Sequence, residues 1–356
     1  GAQASPRIVD PASARRAVEN PAVLARDAEL AALAAGPRPT ELAARLEVIA
    51  RDATLADVAQ EWLLDRGLHA LARMAPTPAA RATVGRLASR APIVYTRIDP
   101  DHGDRATPLY DAGATARFVL RTWNRNQARA IAELELAAGN TRSVDRYAAH
   151  AAEHARSPVL SGIADAFRAA PAPQLATQRS AGIAALAAGQ RVDALVLILA
   201  ERLADPELFG LVFDNADEET ALAAVPAVAR VLDAPAALGA LTRASRRSDI
   251  GSAALLEIGR LAKEDPAARD ALFDALADGA RAPSAAAALA WLADPSVSAE
   301  LGRRLALAKT EDTRRILVLA LKLDADPAAR AGLARFAQSG AGSPKLQREV
   351  RSWLAR

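Results

Sequence analysis

The chain has 356 residues, of which 51% are apolar but only 4% aromatic, and it contains no cysteine. A disulfide-stabilised scaffold is therefore excluded, and alanine and leucine must supply most of the packing, as in closely packed helices. The formal net charge is +3. The densest apolar stretch, Val192 to Leu199, is far shorter than the roughly 18 residues of a membrane-spanning helix, so we expect a soluble protein without a membrane span.

The first 204 residues predict an irregular series of helices. At the amino terminus, Ala2-Gln3-Ala4 resembles the small-residue tract of a signal-peptidase site, so we expect a periplasmic or secreted protein, with a cytoplasmic one as the alternative. Helical periodicity, interrupted mostly by Gly, Pro, Asn or Ser, predicts helices near 21–35, 39–52, 55–74, 78–90, 112–138, 141–156, 158–170, 174–189 and 191–204.

Residues 92–110 interrupt this helical pattern. The segment from Pro92 to Ile98 is β-branched and aromatic without a helical stripe, and Asp99 to Pro108 is rich in turn-forming residues. Loops of nearly this length are unusual in a helical array and often carry function. We therefore predict one long irregular loop near 92–110.

Positive charge concentrates around this loop. Between Arg66 and Arg129 there are eleven arginines against four aspartates, with no glutamate or lysine. Such a basic surface (66–129) favours an anionic macromolecular partner, a protein in the first instance, while solvated helix faces without a partner are the alternative. Nucleic acid is a weaker alternative, because the arginines are not interleaved with aromatic residues. The predicted binding residues are Arg97, Asp99, Asp101, His102, Asp104, Arg105, Tyr110, Arg117 and Arg121.

The aspartates of this loop also invite comparison with a calcium site. Three carboxylates and one imidazole lie between Asp99 and Asp104, but the glycine precedes the third aspartate and no glutamate closes the loop. We expect a turn stabilised by Asp side chains, with Arg97 or Arg105 balancing the charge. No cofactor is expected, since the chain has no glycine-rich phosphate loop, no nucleophile elbow and no cysteine nucleophile.

A second motif, in the predicted helix 141–156, spells H-x-x-E-H at His150, Glu153 and His154. On a helix the two histidines share a face, and Glu218 or Glu219 would be the third ligand of a zinc-dependent peptidase. Nothing strand-like flanks this helix, so we expect no metal and keep the peptidase as an alternative. A polysaccharide lyase of the α/α-barrel type is a second alternative. Its catalytic groups would come from Tyr95, His102, Tyr110, Arg117 and Asn124.

Five prolines divide the last 150 or so residues of the chain at intervals of 29, 31, 29 and 32 residues. The second and sixth residues after each proline are always apolar, which predicts a helix that buries the same stripe in every unit. An aspartate directly precedes every proline but Pro235, where Asp233 lies two residues before it. We predict five helix pairs whose first helices begin at or next to Pro206, Pro235, Pro266, Pro295 and Pro327.

With these prolines and Ala/Leu-rich second helices such as Ala253 to Leu261, residues 205–356 resemble the short bacterial HEAT-like, armadillo-type repeat proteins. The resemblance implies an all-α, right-handed α-solenoid of antiparallel helix pairs, continuous with the irregular helical region formed by residues 1–204. Because some DNA glycosylases are built from HEAT-like repeats, the resemblance leaves a HEAT-like nucleic-acid-binding protein as an alternative. Our interpretation is a non-enzymatic binding or scaffold protein.

The last predicted helix, in 343–356, has a narrow apolar stripe. Leu346, Val350, Trp353 and Leu354 follow helical spacing, and charged or polar residues cover the other faces. A terminal repeat needs a polar, solvent-exposed outer face. This helix is therefore predicted to cap the array, with Trp353 largely buried.

Overall fold

The computed structural model describes residues 7–97, 106–154 and 156–355. Within these residues the fold is all-α apart from three short strands, and no helix there combines the length and apolarity needed to cross a membrane. Five predicted binding residues lie outside the described residues, namely Asp99, Asp101, His102, Asp104 and Arg105.

The elements up to the longest helix follow the predicted helices closely, except that the sequence did not indicate α1. They are β1 (Arg7–Ile8), α1 (Pro11–Val18), α2 (Pro21–Ala34), α3 (Pro39–Arg51), α4 (Asp57–Ala72), α5 (Pro78–Leu87), β2 (Val94–Arg97), β3 (Ala106–Pro108) and α6 (Ala112–Ala137).

The remaining elements are helices throughout the described residues. They are α7 (Arg142–Glu153), α8 (Pro158–Ala169), α9 (Ala172–Ala176), α10 (Arg179–Ala187), α11 (Asp193–Leu203), α12 (Pro206–Asn215), α13 (Glu218–Val231), α14 (Ala234–Ala244), α15 (Gly251–Leu261), α16 (Pro266–Ala275), α17 (Ala282–Ala290), α18 (Pro295–Leu307), α19 (Glu311–Leu323), α20 (Pro327–Ser339) and α21 (Pro344–Leu354).

The chain divides into two compact units. The first comprises Gly1–Ala132 and Arg156–Ile163, and the second comprises Glu133–Ala155 and Ala164–Arg356. Helices α6 and α8 therefore contribute residues to both units. Residue 204, where we expected the irregular region to meet the repeat array, lies inside the second unit.

The core of the first unit is built from leucines of α3 and α4, which contact each other; α3 also contacts α5, and both contact α2. Leu42, Leu46, Leu63 and Leu68 are completely buried there. Trp123 of α6 closes this core, and its indole N–H donates to the carbonyl oxygens of Leu71 (3.2 Å) and Met74 (2.9 Å). The aromatic ring is thus used for packing, with its one polar atom satisfied.

The segment 92–110 is non-helical in its described residues, but it is not irregular. Strand β2 pairs with β3 in an antiparallel hairpin and with β1 in parallel. Val94 packs with Ala14 and Val58 in a small core of its own. The prediction of an irregular loop is therefore wrong for 94–97 and 106–108. The β-branched and aromatic residues of 92–98 do form a strand, but its parallel partner β1 is only two residues long and far upstream, so the local sequence does not reveal that pairing.

The proline repeat of the second unit gives the helices predicted from it. Helices α12, α16, α18 and α20 begin at their proline, and α14 begins one residue before Pro235. All ten aligned apolar positions are buried; they are Leu208, Ala237, Ala268, Val297, Ala329, Val212, Leu241, Leu272, Leu301 and Leu333.

Most helices of this array contact their successor, and several contact the next but one. Contacts join α12 with α14, α13 with α15, α15 with α17, α17 with α19, and α18 with α20. The same pattern begins upstream, since α10 contacts α11 and α12, and α11 contacts α12 and α13. Helical packing is therefore continuous across residue 204.

The last helix departs from its prediction at one residue. Leu346 and Val350 of α21 are buried as expected, but Trp353 is only partly buried. The Arg330 guanidinium lies 5.3 Å from the centre of the Trp353 ring. Trp353 lies at the edge of the apolar stripe of α21. Its indole, which we predicted to be in the core, is therefore partly covered by the Arg330 guanidinium instead.

Candidate functional site

The basic segment 66–129 is less positive in the folded chain than in the sequence. Three of its arginines pair with acids from earlier helices: Arg66 with Asp27 (2.6 Å), Arg86 with Glu47 (2.8 Å) and Arg90 with Glu61 (2.7 Å). These acids lie outside the segment, so the local count of charges overestimates the surface charge.

One of these pairs is structural. Glu61 is completely buried, and Arg90 also donates to Gln60 Oε1 (2.5 Å) and to the Ala50 carbonyl oxygen (3.3 Å). Burial raises the pKa of Glu61, while the hydrogen bond and charge of Arg90 oppose that rise. Arg90 thus ties α3 to α4 and is not available to a ligand.

Three of the predicted binding residues are exposed arginines: Arg97 at the end of β2, and Arg117 and Arg121 on α6. Arg117 Nη1 donates to the Ala88 carbonyl oxygen at 2.7 Å. Arg121 makes no ion pair within the described part of the chain. These residues give the first unit an arginine-bearing surface, and none of the three lines the two concave sites described below for this unit.

Tyr110 has a different environment from these arginines. It is partly buried and packs against the small core of Ala14, Val58 and Val94. Burial raises the pKa of its phenol, and the negative charge of Asp65 adds to the rise. The side chain that we predicted to contact a partner therefore anchors the base of the hairpin.

A concave site suited to an anion lies between the α4–α5 turn and α6. It is a groove of about 700 Å³, which we call the Arg73–Arg81 groove. Its lining consists of Arg73, Met74, Ala75, Pro76, Thr77, Pro78, Arg81, Trp123, Asn126, Gln127 and Ala130. Two arginines and two carboxamides are present, and there is no carboxylate among these lining residues.

Neutral partners hold Arg81 in the wall of the groove. Its Nη1 donates to Asn124 Oδ1 (2.6 Å) and its Nη2 to Gln127 Oε1 (3.3 Å). The guanidinium lies 5.8 Å from the centre of the Trp123 ring. Because amide and indole groups orient the side chain without neutralising it, Arg81 keeps its full positive charge toward the groove.

Arg73 supplies the second charge. It is the exposed C-cap residue directly after α4, where a cation interacts favourably with the helix dipole. No ion pair or side-chain hydrogen bond of Arg73 exists among the described residues. Arg73 and Arg81 belong to the basic segment 66–129, but neither was among the predicted binding residues. A proline-rich turn, 74–78, with an arginine on each side was the signal that could have identified them.

A neighbouring depression of about 580 Å³ shares Arg73 but has mixed charge. Asp27 and Asp65 line it together with Arg66 and His69. Asp27 pairs with Arg66, and His69 Nδ1 lies 2.8 Å from the Asp65 carbonyl oxygen. The two carboxylates make this depression a poorer site for an anion than the Arg73–Arg81 groove.

The geometry needed for the zinc peptidase is absent from the described residues. Helix α7 ends at Glu153, and His154 follows in extended conformation, with φ −144° and ψ 92°. His150 and His154 therefore do not share a helical face. No group of three or more His, Cys, Asp or Glu that could hold a metal ion occurs within the described ranges.

Two of the residues proposed for a lyase are engaged elsewhere, and His102 lies outside the described residues. Asn124 accepts a hydrogen bond from Arg81, and Arg117 is bonded to the end of α5. Trp123 is 1% exposed, and Arg66 lies over the ring of Trp62 at 5.1 Å. Trp123 is thus buried, and a guanidinium occupies one face of the Trp62 ring on which a sugar could stack.

No family model matches this chain, and neither the curated proteins nor the solved structures contain a significant match to it. Function is therefore inferred from the residues of the grooves themselves.

Proposed function

We propose that the chain is a non-enzymatic, right-handed α-solenoid of HEAT-like helix pairs that binds an acidic segment of a partner protein. The regular helix starts, the shared buried stripe and the contacts between alternate helices support the solenoid architecture in this proposal. A periplasmic or secreted location belongs to the same proposal, with Ala2-Gln3-Ala4 as its only support.

The observation that carries the proposal is the Arg73–Arg81 groove. Two guanidinium groups line a cavity of about 700 Å³ without a carboxylate in its wall. A carboxylate that enters the groove therefore meets positive charge with no internal competitor, and planar guanidinium groups bind carboxylates with two parallel hydrogen bonds.

The rest of the lining favours a polypeptide over other anions. Asn126 and Gln127 are exposed, and carboxamides can donate and accept, as recognition of a peptide backbone requires. Met74, Pro76 and Pro78 supply apolar contact surface. Nucleic acids and glycans are usually held by stacking on open aromatic faces, and Trp123 is buried beneath Arg81.

The proposal is tested by fluorescence anisotropy with a short fluorescein-labelled polyglutamate peptide. We expect the Arg73→Glu variant to bind at least about tenfold more weakly, a loss of roughly 1.4 kcal/mol. Arg348→Glu is the matched control, because Arg348 is an exposed arginine of α21 and its substitution makes the same change in net charge. It should bind within about twofold of the unmodified chain.

Two results would contradict the proposal. Equal weakening by both variants would show a response to net charge alone, without a site in the groove. Tighter binding of a labelled single-stranded oligonucleotide, with a steep fall of affinity in salt, would replace the acidic protein segment by nucleic acid as the ligand.

A further inference from the structure

A third concave site lies entirely in the second unit, where the turn before α15 meets the turn before α17. It is a cavity of about 220 Å³, below the roughly 300–1,000 Å³ of pockets for organic ligands, so its size suits a small ion. The lining residues are Ser245, Arg246, Arg247, Ser248, Gly251, Ser252, Leu255, Asp278, Ala280, Arg281 and Ser284. The lining thus contains three arginines and four serines, but only one carboxylate, that of Asp278.

Two of the three arginines are already compensated. Arg247 pairs with Asp249 and donates to the carbonyl oxygens of Phe213 (2.8 Å) and Ala216 (2.9 Å). Arg281 Nε donates to Asp278 Oδ2 at 2.8 Å. The guanidinium of Arg246 is exposed and has neither an ion pair nor a hydrogen bond within the described part of the chain. The positive charge of Arg246 at the cavity is therefore not compensated by any carboxylate within the described residues.

Hydroxyl groups add donors without charge. The Ser252 and Ser284 hydroxyls are hydrogen-bonded to each other at 2.8 Å and so join the two turns. Since one hydroxyl of such a pair donates to the other, the second keeps its hydrogen for a further acceptor. Ser248 places another exposed hydroxyl in the same lining.

The two helices that begin at this cavity also lack caps. Neither α15 nor α17 has a side chain that accepts a hydrogen bond from its first turn. Every other described helix from α12 to α21 has such a cap, from Asp205, Asp217, Asp233, Asp265, Asp294, Thr310, Asp326 or Ser343. The positive ends of two helix dipoles therefore add to the charge of Arg246.

We infer that this cavity binds a phosphate group, carried either by inorganic phosphate or by a phosphoserine of a partner. Arg246 supplies the uncompensated guanidinium, Ser248 and one hydroxyl of the Ser252–Ser284 pair donate hydrogen bonds, and Asp278 stays neutralised by Arg281. The inference is independent of the proposed function, because all of these residues belong to the second unit and none lines the Arg73–Arg81 groove.

Isothermal titration calorimetry of the full chain with inorganic phosphate, at constant ionic strength, tests the site. We expect one phosphate per chain and an affinity at least about tenfold lower for Arg246→Ala. Arg348→Ala, which removes an exposed arginine elsewhere, should leave the affinity unchanged. The Arg246 side chain makes no ion pair or hydrogen bond within the described residues, so we expect equal melting temperatures for the variants and the unmodified chain.

A second titration separates the two sources of the phosphate group. A short peptide with one phosphoserine that binds more tightly than inorganic phosphate, while its unphosphorylated form does not bind, assigns the site to a phosphorylated partner. Equal or weaker binding of the phosphopeptide assigns it to free phosphate. The inference is overturned if inorganic phosphate gives no saturable heat, or if Arg246→Ala binds it as well as the unmodified chain.

Discussion

Arg246 and Arg247 are neighbours in sequence with opposite environments. Arg247 is largely enclosed, with 24% of its side chain exposed, and it bonds two carbonyl oxygens at the end of α12 as well as Asp249. Hydrogen bonding and the charge of Asp249 raise the pKa of the Arg247 guanidinium, against the effect of burial. Arg246 has no such partners among the described residues. The same residue type is structural at one position and open to a ligand at the next.

This contrast predicts different costs for the same substitution. Arg247→Lys replaces a planar fork by a single ammonium group, which cannot reach both carbonyl oxygens and Asp249 together. We expect the free energy of unfolding to fall by about 1–2 kcal/mol. Arg246→Lys should change it by less than about 0.5 kcal/mol. Urea unfolding in phosphate-free buffer measures both, and similar losses in the two variants would show that the bonds of Arg247 contribute nothing specific.

At the scale of the helix, the repeat depends on its first turn. Asp205, Asp265, Asp294 and Asp326 each accept a hydrogen bond from a first-turn amide next to the proline. The sequence indicated that Pro235 lacks this arrangement. The structure shows that α14 starts one residue earlier, so Asp233 is its cap and accepts from the amide of Ala236 at 2.9 Å. Because the helix starts one residue earlier, α14 still has an aspartate cap.

We predict that Asp233→Ala and Asp265→Ala each lower the free energy of unfolding by about 1 kcal/mol, because each leaves first-turn amides without an acceptor. Asp270→Ala, at an exposed position within α16, is the control and should be close to neutral. Thermal and urea unfolding of the three variants give the comparison. A neutral Asp233→Ala beside a destabilising Asp265→Ala would mean that the cap of α14 has no energetic value.

At the scale of the whole molecule, arginine repeatedly joins one helix to the end of another. All but four of the 45 basic residues are arginine. Several donate to carbonyl oxygens at helix ends in their own unit: Arg38 to Ala32, Arg117 to Ala88, Arg202 to Ala170, Arg247 to Phe213, Arg269 to Ala262 and Arg351 to Ala337. The last carbonyl groups of a helix have no partner within it, so a long forked donor satisfies them across the packing.

The last helix provides a test at this scale. Gln347 Nε2 donates to the carbonyl oxygens of Phe336 (3.2 Å) and Ala341 (2.5 Å), and α21 packs on α20. Deleting 343–356 should expose the buried Leu333 and Phe336 face, so we expect self-association at micromolar concentration and a lower melting temperature.

Light scattering and thermal unfolding measure these effects. Deleting only residues 355–356 is the control, because α21 ends at Leu354. A 343–356 deletion that stays monomeric and melts like the full chain would show that α21 does not protect the array.

The amino-acid sequence by itself determined the helices other than α1, and the repeated buried stripe. Both depend on neighbours within a few residues: proline and aspartate at a helix start, and apolar residues four positions apart, such as Leu208 and Val212. Only the tertiary structure decided the pairing of β2 with β1, the neutralisation of Arg90 by Glu61 and the groove between Arg73 and Arg81. Those contacts join residues that are distant in the chain. The local sequence determines which residues form a helix, but the partner of each side chain depends on how the helices pack.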